Sequence, residues 1–270
     1  MSNPQGPPQT APQGPPEPQR QPEVPVRRSW GSGKAIVWLL VGVGLVALLV
    51  STKRITTSDI VIFCVIIPSV ILHEVAHGWV ALAFGDDTAK RAGRLTLNPI
   101  AHVDVVGTLI VPAFMILSGF GFFGWAKPVP VNLAKLRSPR NQGVVVSLAG
   151  PATNLVLAGV FAVLFRASGA ASAIPVQGPL PIWVQLLFYA GIINIWLAAF
   201  NMIPIPPLDG SVLLERLLPR SWWPHYLRIR PYTLPVLLAV VVLASTAHVN
   251  LFGSFETTTF NWWARVLGVG

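Results

Sequence analysis

Two histidines and a glutamate stand at a spacing that can do chemistry: His73, Glu74 and His77, in the stretch Ile71-Leu72-His73-Glu74-Val75-Ala76-His77. Residues four apart share one face of a helix, so both imidazoles can reach a single ion. Glu74 lies beside that face, close enough to act on a water at the ion. With five His and five Glu in 270 residues, chance would produce about 0.002 such matches, so the pattern is signal. It sits inside the apolar stretch 60–84. An ionisable side chain at mid-bilayer costs about 2.5–3.5 kcal/mol on insertion scales, and a divalent cation is a partner that compensates for three polar groups in five residues. Catalytic zinc of this type takes two His and a carboxylate and keeps a fourth position open.

The third ligand must come from elsewhere in the chain. The single cysteine, Cys64, lies in an apolar run and excludes both an intrachain disulfide and a thiolate cluster. Outside the N-terminal segment, and apart from Glu74, the acidic candidates are Asp59, Asp86, Asp87, Asp104, Asp209, Glu215 and Glu256. Asp209 is the attractive one. Pro204, Pro206 and Pro207 break the end of an apolar helix just before it, and Gly210 follows. Such a broken end is tolerated in a membrane only against protein or a water-filled cavity. As a plain turn Pro-Pro-Leu-Asp-Gly would be ordinary, so Asp86, Asp87 and Asp104 stay open as alternatives.

The elements that position these residues follow from composition. Apolar residues make up 53% and charged residues 11%, with a mean hydropathy of +0.61. Soluble domains carry about 25% charged residues, so a soluble enzyme is excluded, and so is a wholly disordered chain. The net charge of +9 is spread between apolar runs and forms no compact basic surface with interleaved aromatics, which argues against nucleic acid as a partner. Residues 1–34 read as a disordered tail, because nine of the first 25 residues are proline. The remaining 35–270 read as one transmembrane domain.

Apolar runs cover 35–50, 60–84, 105–123, 144–165, 182–203 and 233–252, and a helix needs about 20 such residues to cross. Six simple crossings leave Lys and Arg evenly divided. If 105–123, with its glycines and Pro112, enters and leaves on one face, fifteen Lys and Arg fall on the side of the N-terminus and four on the other. That satisfies the positive-inside rule. The expected fold is therefore an all-α membrane protein, a polytopic helix bundle with five full crossings plus a re-entrant hairpin. The expected location is the cell membrane, with the N-terminus cytoplasmic, residues 253–270 outside and the site opening toward the cytoplasm.

Other polar residues read more plainly. His102 and Asp104 follow Asn98-Pro99 and suggest a turn rather than a second metal site. His225 and His248 read as interfacial. Trp222, Trp223, Trp262 and Trp263 near run ends read as interface anchors, and Arg216, Arg220, Arg228 and Arg230 as contacts to anionic headgroups.

His-Glu-Val-Ala-His in one apolar helix and Phe200-Asn201-Met202-Ile203-Pro204-Ile205-Pro206-Pro207-Leu208-Asp209-Gly210 after a later one resemble the site-2 protease family of intramembrane zinc metalloproteases. Three more stretches resemble its compact bacterial branch: Ala92-Gly93-Arg94-Leu95-Thr96-Leu97-Asn98-Pro99, Gly124-Trp125-Ala126-Lys127-Pro128-Val129-Pro130-Val131-Asn132 and Ala149-Gly150-Pro151-Ala152-Thr153-Asn154. The resemblance spans about residues 60–215. It implies that His73, His77 and Asp209 bind one zinc, that Glu74 is the catalytic carboxylate, and that Asn154 points into the site to steady the oxyanion or the substrate backbone. The PDZ or CBS domains that many relatives append find no room in 270 residues.

The expected function is hydrolysis of peptide bonds in membrane-embedded or membrane-adjacent proteins, the substrate being a transmembrane protein and the lipid bilayer the surrounding partner. Residues 119–132 would either clamp an unwound substrate by edge pairing or merely cap the cavity. The competing reading is a non-proteolytic membrane protein that uses the same ligands to bind or transport metal. A transporter is expected to carry inverted repeats, and the sequence has none.

Overall fold

Thr56 begins the helix that carries the two histidines. Its hydroxyl accepts from the Asp59 amide at 3.3 Å, while Asp59 Oδ2 accepts from the Thr56 amide at 2.7 Å, a reciprocal cap that satisfies two otherwise orphaned donors. The resulting α1, Thr57–Ala83, has 27 residues, about 40 Å at 1.5 Å per residue. That exceeds the roughly 30 Å of a bilayer's hydrocarbon core. The computed structural model describes residues 56–111, 124–175, 177–247, 249 and 253–269.

Helix α2, Pro139–Ala167, opens on a proline, whose missing N–H costs nothing in a first turn. Helix α3 is Ile182–Asn201. The three long helices pack on one another pairwise. In lipid the hydrophobic effect cannot drive helices together, so close approach and interhelical hydrogen bonds do. Both are present. Gly143, Ser147, Gly150 and Asn154 recur at intervals of four, three and four along one buried face of α2, and Asn194 Nδ2 on α3 donates to Ser69 Oγ on α1 at 2.9 Å.

A short α4, Ser211–Leu217, follows the proline-broken end of α3. Next comes α5, Trp223–Thr246, whose span Pro224–Ala244 contributes no buried residue to the packing. Among the described residues every regular element is helical, and four helices are long and apolar enough to cross a membrane. The all-α membrane bundle stands, with α1, α2, α3 and α5 matching four of the five expected crossings. Run 35–50 and the tail 1–34 lie outside the described residues. So do residues 112–123 of the expected hairpin, of which the structure describes one π-type turn, Val105–Ile110, and Val111.

Two expectations need correction. Helix α5 begins ten residues ahead of the apolar run that marked it, because Arg228 and Arg230 lower the hydropathy of a segment that is nonetheless helical. Trp263 is no interface anchor. It lies on α6, Gly253–Leu267, at 2% exposure, with its ring over Gly191 of α3, where any added Cβ would come within 1.9 Å of it. Its indole N–H donates to the Phe188 carbonyl at 3.3 Å. Trp222 and Trp262 are exposed, as anchors should be. The side chain of Trp223 and all of His248 fall outside the described residues, and His225 is exposed.

Candidate metal centre

His73 and His77, one turn apart on α1, are both buried, with ring centroids 4.8 Å apart and planes at 82°. Each ring is held from behind by α2. His77 Nδ1 lies 2.7 Å from the Val146 carbonyl oxygen, which can only accept, so Nδ1 carries a proton and, in the neutral imidazole, Nε2 keeps its lone pair. His73 Nδ1 stands 3.0 Å from Asn154 Oδ1 and takes the same tautomer. Outer partners of this kind fix ring orientation and raise ligand basicity.

The broken end of α3 delivers the carboxylate. The Gly210 amide donates back to the Asn201 carbonyl at 2.7 Å, and Ser147 Oγ of α2 donates to the Asp209 carbonyl at 2.7 Å. A Cβ on Gly210 would sit 2.2 Å from the Met202 oxygen, so only glycine permits this return. Asp209 Oδ2 then lies 3.0 Å from His73 Nε2 and 3.3 Å from His77 Nε2.

These three atoms fit zinc. Asp209 Oδ2 is buried and accepts no hydrogen bond, and the tautomers above leave both facing nitrogens without a proton. Three lone pairs converging in a largely buried site repel one another unless a cation lies among them. Tetrahedral bonds of about 2.0–2.1 Å place donor atoms about 3.3 Å apart, close to the two distances from Asp209 Oδ2, and all three donor atoms lie within 4.8 Å of one another. Gly150 of α2 makes the room, for a Cβ there would come within 2.4 Å of His77 Nε2 and 2.5 Å of His73 Nε2. Among the described residues this trio is the one His, Cys, Asp or Glu group gathered tightly enough to hold an ion.

Glu74 is half-buried beside the trio, and its Oε2 accepts from the Val129 amide at 2.8 Å. Val129 belongs to the extended segment 124–132, which has no strand partner among the described residues. The alternatives for the third ligand are engaged elsewhere. Asp86 is fully buried and binds Thr88 and the Asn132 amide. Asp87 meets Lys135 at 2.7 Å, and Asp104 caps the turn at Val106 and Gly107. Glu215 accepts from the Tyr226 hydroxyl at 2.7 Å. His102 is buried against the Thr96 carbonyl, at 2.8 Å. All five residues singled out for the site (His73, Glu74, His77, Asn154 and Asp209) come together. Sequence reading missed Ser147, Val129 and the role of Gly150. The four-three-four spacing of small residues on α2 was the available sign for the first and last.

His73, His77 and Asp209 beside Glu74, set among helices long and apolar enough to cross a bilayer, make a candidate zinc centre within a membrane helix bundle. The sequence profile of Peptidase family M50 matches residues 61–175 and 167–244, and the chain belongs to that family. It is 46% identical over 161 residues to the Bacillus subtilis protein named "Putative zinc metalloprotease YwhC", covering 57% of this chain and 67% of the relative. It is 37% identical over 149 residues to Rip2 of Mycolicibacterium smegmatis, covering 54% of this chain and 53% of the relative. With Rip2 of Mycobacterium tuberculosis strain H37Rv it shares 33% over 196 residues, 72% of this chain and 66% of the relative. The chain thus spans between about half and two thirds of these relatives' length. No solved structure matches it significantly.

Proposed function

We propose that the protein hydrolyses peptide bonds of transmembrane or membrane-adjacent proteins, as a step of regulated intramembrane proteolysis, at a centre opening toward the cytoplasm. The carrying observation is the convergence of His73 Nε2, His77 Nε2 and Asp209 Oδ2 beside Glu74, between helices long enough to cross a bilayer. The cytoplasmic assignment rests on the excess of Lys and Arg on the side of the N-terminus.

His73, His77 and Asp209 would hold the zinc, which supplies polarisation of the scissile carbonyl and a water of lowered pKa. Glu74 accepts the proton of the attacking water and returns it to the departing amine nitrogen. Asn154 spends its oxygen on His73, and its Nδ2 is buried without a partner, a donor suited to the charge that grows on the carbonyl oxygen. A helical substrate hides its carbonyls in its own hydrogen bonds, so it must unwind before Glu74 can act.

The direct test is a single-span transmembrane peptide incubated in proteoliposomes with wild type and Glu74→Gln. Cleavage falls at least about 100-fold in the variant while zinc content is unchanged. Equal cleavage by both proteins contradicts the assignment, and metal flux without cleavage favours transport.

A further inference from the structure

Resting on the proteolytic reading above, we propose that Arg94 is a positioning residue for Glu74: it grips the extended segment 127–132 so that the Val129 amide aims the glutamate's carboxylate. Arg94 lies outside the metal centre, on the turn after the short helix Thr88–Arg91, and is 8% exposed. Its Nη2 donates to the Lys127 carbonyl at 2.6 Å and to the Pro128 carbonyl at 3.4 Å. A buried guanidinium is costly unless its donors are engaged, and its Nη2 is engaged by the backbone of this segment.

The segment is built to present one amide. Pro128 and Pro130 have no N–H and hold Lys127 and Val129 extended. Between Lys127 and Val131, Val129 alone carries a donor, and that donor goes to Glu74 Oε2 at 2.8 Å. Both flanks are pinned. The Lys127 amide donates to the His102 carbonyl at 2.9 Å, and the Asn132 amide donates to Asp86 Oδ2 at 2.6 Å. The Val129 side chain is buried over Gly78, one turn beyond Glu74, where an added Cβ would come within 2.9 Å of it. Val129 therefore cannot slide along α1, and the register of its amide against Glu74 is set by Arg94 at one end and Asp86 at the other. With Oε2 occupied, Oε1 is left in a fixed direction to take the proton.

The test compares wild type, Arg94→Ala, Arg94→Lys and Val129→Pro on the single-span peptide, with zinc content measured for each and Glu74→Gln as the inactive control. Val129→Pro deletes the amide hydrogen while keeping the chain extended. In both Arg94→Ala and Val129→Pro, kcat falls about 10- to 100-fold, with KM within about threefold and zinc unchanged. Arg94→Lys recovers part of the loss, and combining Arg94→Ala with Val129→Pro costs no more than either alone. Wild-type kcat in Val129→Pro overturns the proposal, as does loss of zinc or a raised KM in place of lowered kcat. If Arg94→Ala fails to fold, Val129→Pro decides. A cleaving wild type and a dead Glu74→Gln confine any such failure to the positioning role, whereas a wild type that does not cleave overturns the proteolytic reading as well.

Discussion

Each proposed ligand of the metal centre is held in place by a second residue. His77 is held by the Val146 carbonyl, His73 by Asn154, and Asp209 through its own carbonyl by Ser147. Gly150 shows how little tolerance remains. Gly150→Ala places a methyl group 2.4 Å from His77 Nε2, so zinc affinity falls by about 10- to 100-fold, the cost usual for disturbing a ligand's support, as read by competition with a chelator. Ser147→Ala leaves the ligands intact but frees the Asp209 backbone, and lowers zinc affinity less. The spacing of His73, Glu74 and His77 was legible because one helical turn carries all three. Asp209 was reachable only through its proline-rich setting and the resemblance. The Val129–Glu74 and Arg94–Lys127 contacts join residues far apart in sequence through a backbone atom, and no residue type marks a backbone donor in advance.

Among the elements, α6 departs most from expectation. Tryptophans near the ends of apolar runs suit the interface, and Trp222 and Trp262 are exposed there, but only the shape of α3 reveals that Gly191 leaves a slot for Trp263. Trp263→Ala empties that slot and destabilises the fold by about 3 kcal/mol, seen as a lower melting temperature in detergent. Gly191→Leu instead expels the ring and raises quenching of tryptophan fluorescence. The segment 124–132 depends on Asp86. Burial pushes the Asp86 carboxyl up, but the Thr88 hydroxyl, the Asn132 and Thr88 amides and Lys135 outweigh it and hold the carboxyl below the usual range. A lowered folded-state pKa contributes stability that is complete above about pH 4 and lost as pH falls through the lowered value. The gap in melting temperature between wild type and Asp86→Asn therefore narrows as pH is taken from 7 to 3. An unchanged gap contradicts the anchor.

The molecule as a whole was well marked by composition, since 53% apolar residues and 11% charged ones leave few alternatives to a membrane bundle. Hydropathy found α1, α2 and α3 within a few residues at most ends, because lipid demands long apolar helices and punishes interruption. It erred at the start of α5, where arginines sit in continuing helix. How α1, α2 and α3 pack was less visible, since small residues and paired polar groups replace the apolar stripes of soluble bundles. That packing brings the metal ligands on α1 and after α3 into reach of each other. The central claim is that one zinc is held by His73, His77 and Asp209 together, and metal analysis of purified protein tests it most directly. Wild type should carry one zinc per chain, with X-ray absorption reporting two imidazole nitrogens and a carboxylate oxygen at about 2.0–2.2 Å, and folded Asp209→Ala should bind zinc far more weakly. Full zinc occupancy and an unaltered absorption spectrum in Asp209→Ala would contradict the account.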